Sequence, residues 1–136
     1  MSTALTLRVL EGTFAILRFD ADAEVPTWAD QAPPFWASTR TAVELTVICP
    51  ETPGNRSAIA ELPDSRKQCE WSAFGVVGVL DFSLTGILAA LSDCLAQAKI
   101  SIFAISTFDT DYILVKRSDL GAAREALAAS GYEVED

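Results

Sequence analysis

The chain has 136 residues, with 10 Lys and Arg against 19 Asp and Glu, a formal net charge of −9 and no histidine. Half of the residues are apolar, which argues against disorder and for a core that hides about two-thirds of the unfolded surface. The acidic balance argues against a phosphate backbone or an anionic bilayer as partner, and the lack of histidine excludes a Ser-His-Asp or Cys-His hydrolase.

Leu5, Leu7 and Val9 alternate with Thr6 and Arg8, the two-residue period of a half-buried strand. Glu11-Gly12 supplies a tight turn and Phe14 to Phe19 a second strand, so a hairpin is expected; the segment lacks the basic start of a signal peptide. Asp20 to Pro34 holds three prolines and four acids and reads as connection, with one short helical turn near Trp28. Phe35 to Thr41 and Leu45 to Cys49 are a third and a fourth strand. Pro50 to Cys69 is interrupted by Pro50, Pro53, Gly54 and Pro63, leaving room for a short helix over Ser57 to Leu62. It is the best boundary between two halves.

The second half has clearer periods. Trp71 to Leu80 is an apolar strand, and Asp81 to Gly86 is dense in residues that open helices. Ile87, Leu91, Leu95 and Ala98 then form one face of an amphipathic helix. Ile100 to Ser106 is a strand, Thr107 to Thr110 a polar turn and Asp111 to Lys116 the returning strand. Ser118 caps a second helix carrying Leu120, Ala123 and Leu127, Gly131 ends it, and Tyr132 to Val134 closes as a strand. The order β-α-β-β-α-β is the ferredoxin-like arrangement, an α+β fold with two helices on one sheet face. Its other face needs cover, which residues 1–70 can supply. The run from Phe35 to Val47 also echoes that from Ile102 to Val115: an aromatic strand, a Thr, an acid and a β-branched strand. A duplicated α/β unit is expected.

Cys49, Cys69 and Cys94 are isolated, so neither a zinc site nor a redox pair is expected, and no cofactor. Free thiols suit a reducing cytoplasm, and no run of 18 apolar residues offers a spanning helix. Trp28, Trp36 and Trp71 read as core or interface anchors.

The run Leu80 to Leu88, taken with Ile102 to Val115, resembles small bacterial proteins built from two ACT domains, related to the ACT pairs of the cytosolic arginine sensor of animal cells. Thr41, Glu44 to Val47 and Trp71 also fit that pattern. The resemblance implies two ferredoxin-like ACT units packed together: a degenerate N-terminal one over 1–66 and a full one over 67–136. It further implies a regulatory module that binds an amino acid where two such domains meet. Carried over by position, the ligand site falls on Asp81, Phe82, Ser83, Leu84, Thr85, Gly86 and Ile87, and on Ser106, Thr107, Phe108 and Asp111. The residues agree with that reading. A helix N-terminus suits a carboxylate, and Asp111 can take an ammonium by a charge-assisted hydrogen bond. Leu84 stands where the arginine sensor carries an acid, which leaves a small or apolar amino acid as open as arginine. The expected protein is cytoplasmic and non-catalytic, and senses an amino acid. It is expected to pair with a second copy through edge strands and to bind neither nucleic acid nor membrane. The alternative is an interaction module without a ligand. A small enzyme would need a nucleophile or metal beside Asp109 and Asp111, where Asp more simply serves the turn.

Overall fold

Strands β1 (Thr6–Val9), β2 (Phe14–Phe19), β3 (Ala37–Arg40) and β4 (Leu45–Pro50) precede helix α1 (Arg56–Glu61) and strand β5 (Lys67–Val76). Helix α2 (Ile87–Gln97), β6 (Ile102–Ser106), β7 (Asp111–Lys116), α3 (Leu120–Ala129) and β8 (Glu133–Glu135) follow. The structure is a computed structural model and describes residues 5–29, 31–78 and 85–136. The chain divides into two units. One is Glu11–Trp71; the other, here the terminal unit, joins the described residues up to Leu10 to those from Ser72 to Asp136.

In the terminal unit the strand order is β6-β7-β5-β1-β8. β6 and β7 are antiparallel, from Ile102 opposite Val115 to Ser106 opposite Asp111. β1 lies antiparallel to β5, with Leu7 opposite Val76, and parallel to β8, with Leu7 opposite Val134. The ferredoxin-like order β5-α2-β6-β7-α3-β8 is therefore present, with a strand from the start of the chain laid between β5 and β8. Alternation sends Leu7, Phe74, Val76, Ile113 and Val115 to the helix-covered face, where they meet Leu91 and Leu95 of α2 and Ala123 and Leu127 of α3. Leu91 and Leu95 are fully buried, each burial contributing about 1.5–3 kcal/mol. Both long helices end in the same way. Lys99 (φ 62) and Gly131 (φ 97) turn left-handed after the last turn. Ile100 N–H then donates to Leu95 O at 3.0 Å, and Tyr132 N–H to Leu127 O at 3.1 Å.

In the Glu11–Trp71 unit the order is β3-β4-β2 followed by the first residues of β5. The unit keeps the same succession of elements, but no helix forms among the described residues between β2 and β3, where Pro26, Pro33 and Pro34 deny the backbone its donors. This is the degenerate ferredoxin-like unit. Ala15, Leu17, Leu45, Val47, Cys49 and Ile59 form its core, with Trp28 and Trp36 packed against it. In the β2–β5 ladder Phe14 faces Trp71 and Ile16 faces Gln68, so Cys69 and Glu70 bulge opposite Ala15. Glu70 takes φ 59 there, and its N–H donates to Glu51 Oε1 at 3.1 Å.

Three expectations need correction. The hairpin about Glu11-Gly12 does not form: β1 pairs with β5 and β8, whereas β2 pairs with β4 and β5. A two-residue period gives a strand's faces and not its neighbours. β5 begins at Lys67, not Trp71, because its polar start, Gln68 to Glu70, is exposed and carries no apolar signal. Ser118 lies inside a 3-10 turn (Arg117–Asp119), and Asp119 holds the cap position of α3 with no side-chain capping bond.

Candidate functional site

The turn between β6 and β7 is built by one residue. Thr107 N–H donates to Thr110 O at 2.8 Å, its hydroxyl donates to the same carbonyl at 3.0 Å, and Thr110 N–H donates back to Thr107 Oγ1 at 3.1 Å. The Thr110 hydroxyl then donates to Val76 O at 2.9 Å, fastening the turn to the end of β5. Phe108 stands at the tip, 79% exposed. Asp111 opens β7, and its Oδ1 accepts the Ser106 hydroxyl at 2.6 Å across the ladder. No other described residue bonds this carboxylate, so its second oxygen can accept a further donor. The turn thus brings together Ser106, Thr107, Phe108 and Asp111, as the sequence places them.

The loop that opens α2 is the other half of the expected site. Asp81, Phe82, Ser83 and Leu84 lie outside the described residues. Gly86 holds the cap position at φ 81, and its carbonyl accepts Ala90 N–H at 2.9 Å. Thr85 and Gly86 are exposed, whereas Ile87 packs on the terminal-unit core. No described bond joins Thr85, Gly86 or Ile87 to the β6–β7 turn.

Beside that turn lies an open groove of about 300 Å³, lined in part by Arg8, Gly75, Val77, Gly78, Thr107, Asp109 and Tyr112. By alternation Arg8, Gly75 and Tyr112 sit on the sheet face away from the helices, and Arg8 is the register partner of Gly75. Gly75 lets the Tyr112 ring come close: a Cβ added there would lie 3.0 Å from Tyr112 Cε1. Arg8 donates from Nε at 3.0 Å and Nη2 at 2.5 Å to Glu135 Oε1, which fixes the guanidinium on its strand and leaves Nη1 for another acceptor. The groove therefore combines a cation, the Asp109 carboxylate and an aromatic ring over a floor without a side chain. Sequence reasoning missed Arg8, Gly75 and Tyr112. A glycine inside an apolar strand signals close approach, but nothing local says that Tyr112 is what approaches. Among the described residues no three His, Cys, Asp or Glu side chains gather as they would for a metal ion, and no described helix is long and apolar enough to cross a membrane.

A family profile for the ACT domain matches residues 66–129, and a profile for an N-terminal domain matches residues 12–53. Among solved structures, protein Atu0741 from Agrobacterium tumefaciens is 31% identical, with a TM-score of 0.82 over 99% of this chain and 96% of its own. Aspartate kinase of Clostridium acetobutylicum, an allosteric enzyme, is 12% identical with a TM-score of 0.66, over 91% of this chain and 34% of its own. E. coli aspartokinase III, solved with aspartate and ADP, is 14% identical with a TM-score of 0.59, over 96% of this chain and 33% of its own. At such identities the two kinases show a likeness of fold.

Proposed function

We propose that this chain, which belongs to the ACT-domain family and to one family with protein Atu0741, is a non-catalytic regulatory protein that binds an amino acid. The binding residues are those of the β6–β7 turn together with the loop that opens α2. The observation that carries this reading is the fastened turn. Thr110 ties it to Val76, Ser106 orients Asp111, and the turn borders a groove wide enough for a small molecule. The partly bonded Asp111 carboxylate suits an ammonium, and the free backbone donors of a helix start suit a carboxylate. The kinase likeness supports a regulatory role, since one of those kinases is an allosteric enzyme and the other was solved with aspartate. Kinship with the arginine sensor belongs to the same proposal, and since the sequence has Leu84 where that sensor carries an acid, a small or apolar amino acid is as open as arginine. Residence in the cytoplasm and pairing of two copies through edge strands complete it.

The test is a thermal-shift series on the full chain with each of the twenty amino acids. A ligand at a hundred times its dissociation constant stabilises the native state by about 2.7 kcal/mol, or roughly 8–12 °C for a chain of this size. Asp111→Ala should weaken that binding by about 1.5–3 kcal/mol, the range for a hydrogen bond to a charged group. If no amino acid moves the midpoint by more than about a degree, well below the mass-action shift expected of a bound ligand, the ligand-free interaction module takes its place.

A further inference from the structure

A separate cavity of about 270 Å³ lies in the Glu11–Trp71 unit, along α1 and the start of β5. It shares no lining residue with the groove beside the β6–β7 turn. Glu51, Thr52, Arg56, Lys67 and Cys69 supply its polar side, and Ile59 its apolar wall. In a chain of net charge −9 this lining holds two cations against one anion.

The anion is already engaged. Glu51 Oε1 accepts the Glu70 N–H at 3.1 Å, and the same carboxylate lies close enough to the Cys69 thiol to help push it up from its usual value. Lys67 is held in place: Nζ donates to Ile59 O at 3.3 Å and Ala60 O at 3.0 Å, and among the described residues its ion-pair partner, Asp64 at 3.9 Å, is fully exposed. Such an exposed pair neutralises little of its charge. Arg56 has no hydrogen-bond or ion-pair partner among the described residues. The backbone beneath it is rigid, because the buried Asn55 side chain accepts Thr52 N–H at 2.9 Å and donates to Pro50 O at 2.8 Å. A fixed ammonium and a guanidinium without a partner among the described residues therefore border one cavity whose carboxylate already accepts a backbone N–H.

We propose that this cavity binds a small organic carboxylate, gripped by Arg56 and Lys67, with its carbon chain against Ile59. The guanidinium fork matches a carboxylate in two parallel hydrogen bonds, and the ammonium adds a point charge beside it. Phosphate fits less well. A compact dianion would meet the Glu51 carboxylate in the same lining, whereas an organic acid puts its charge at the cations and its methylenes on the apolar wall.

Cys69 is the reporter, because it lines the cavity and is exposed while Cys49 is buried and Cys94 half-buried. Alkylation of Cys69 by neutral iodoacetamide is followed by peptide mass spectrometry on the full chain at one pH. The additives are acetate, succinate, phosphate, or sodium chloride at matched ionic strength. A carboxylate at twice its dissociation constant should slow the reaction by about threefold, since only the empty cavity reacts. Sodium chloride should not. Arg56→Gln should lose about tenfold or more in apparent affinity, the worth of a charge-assisted hydrogen bond, with an unchanged melting temperature because Arg56 is exposed and bonds no described residue. Arg56→Lys should keep part of the protection. The proposal is overturned if the carboxylates protect no better than sodium chloride, if Arg56→Gln is protected like the parent, or if phosphate protects where the carboxylates do not. Amino-acid shifts that depend on Asp111 would be unaffected by any of these outcomes.

Discussion

The two matched helix ends allow a test of the backbone without any change in packing. Lys99 and Gly131 occupy the same position in the same motif, each one residue past the helix cap with positive φ. A residue with a Cβ loses roughly 1–2 kcal/mol in the left-handed region, while glycine's extra freedom in the unfolded chain offsets about 0.5–1 of that. Glycine should therefore be better than alanine by about 0.5–1 kcal/mol at either site, which is roughly 2–4 °C in midpoint for a chain of this length. Sterics do not confuse the comparison at Gly131, where an added Cβ would meet nothing within 4 Å. Comparing Lys99→Gly with Lys99→Ala also cancels the favourable position of a cation at a helix C-terminus. Four proteins suffice: the parent, Lys99→Ala, Lys99→Gly and Gly131→Ala, melted under one condition and followed by circular dichroism. Lys99→Gly should melt above Lys99→Ala by the same interval by which the parent melts above Gly131→Ala. Equal midpoints for the two Lys99 variants, with a large loss at Gly131, would refute the claim that the motifs are equivalent.

Gly75→Ala should destabilise the protein by about 1–3 kcal/mol through overpacking, because the new methyl lies 3.0 and 3.3 Å from two carbons of the Tyr112 ring; an equal loss in a Tyr112→Ala background would sink that explanation. The Cys69 thiol is pushed up from its usual value, first by burial, then by the Glu51 carboxylate, with Lys67 opposing and Glu70 adding. Alkylation of Cys69 should accordingly reach half its maximal rate at a higher pH than that of a free thiol, and Glu51→Gln should bring that pH down. The sign for stability follows: a raised native value means that the folded chain keeps a proton the unfolded chain has lost. The contribution is full below the unfolded value and disappears as pH rises through the native one. Urea midpoints should then fall less steeply with alkaline pH in Cys69→Ala than in the parent.

Where the chain buries one face against helices, the sequence alone was enough to read it. The spacing of Ile87, Leu91 and Leu95 places α2, and Leu91 and Leu95 are indeed its fully buried residues. Gly131 announces the end of α3, whereas the equivalent turn at Lys99 carries no glycine and gives no such signal. Neighbours in a sheet are another matter. Leu7 and Val9 look the same whether the strand beside them is β2, β5 or β8, so the guest position of β1 is a property of the whole chain. The site divides along the same line. Thr107 and Asp111 act through bonds to residues three to five positions away, which a local pattern can suggest. Arg8 and Tyr112 reach the groove only through the register of three strands, and Arg56 and Lys67 meet at their cavity only through the bulge and the helix around them.

The echo between the two hairpins shows how a shared turn comes to different uses. In each, a threonine closes the connection: Thr41 N–H donates to Glu44 O at 2.9 Å as Thr107 N–H does to Thr110 O at 2.8 Å, and each hydroxyl accepts a backbone N–H from three residues on. The likeness ends at the fourth residue of the turn. Glu44 turns its carboxylate to its own strand, where Oε1 accepts the Thr46 hydroxyl at 2.7 Å. Thr110 reaches out of its hairpin to Val76, and its neighbour Asp111 is held by Ser106 at the head of the ladder. The first turn keeps the bonds of its Thr41 and Glu44 side chains within its own hairpin, while the carbonyl of Val43, exposed at the tip, accepts the Arg18 guanidinium at 3.3 Å. The second is fastened to the strand that leads into the α2 loop and keeps a carboxylate oxygen that no described residue bonds. A ligand needs just those two properties, a wall that does not move and an acceptor left over. For that reason the amino-acid site proposed above is placed on the second hairpin and not on its echo, and on that proposal Thr110→Val, which removes the bond to Val76 while nearly keeping the shape, should weaken the amino-acid thermal shift. The corresponding change at Glu44 should leave that shift as it is in the parent, and a loss there instead would reverse the assignment.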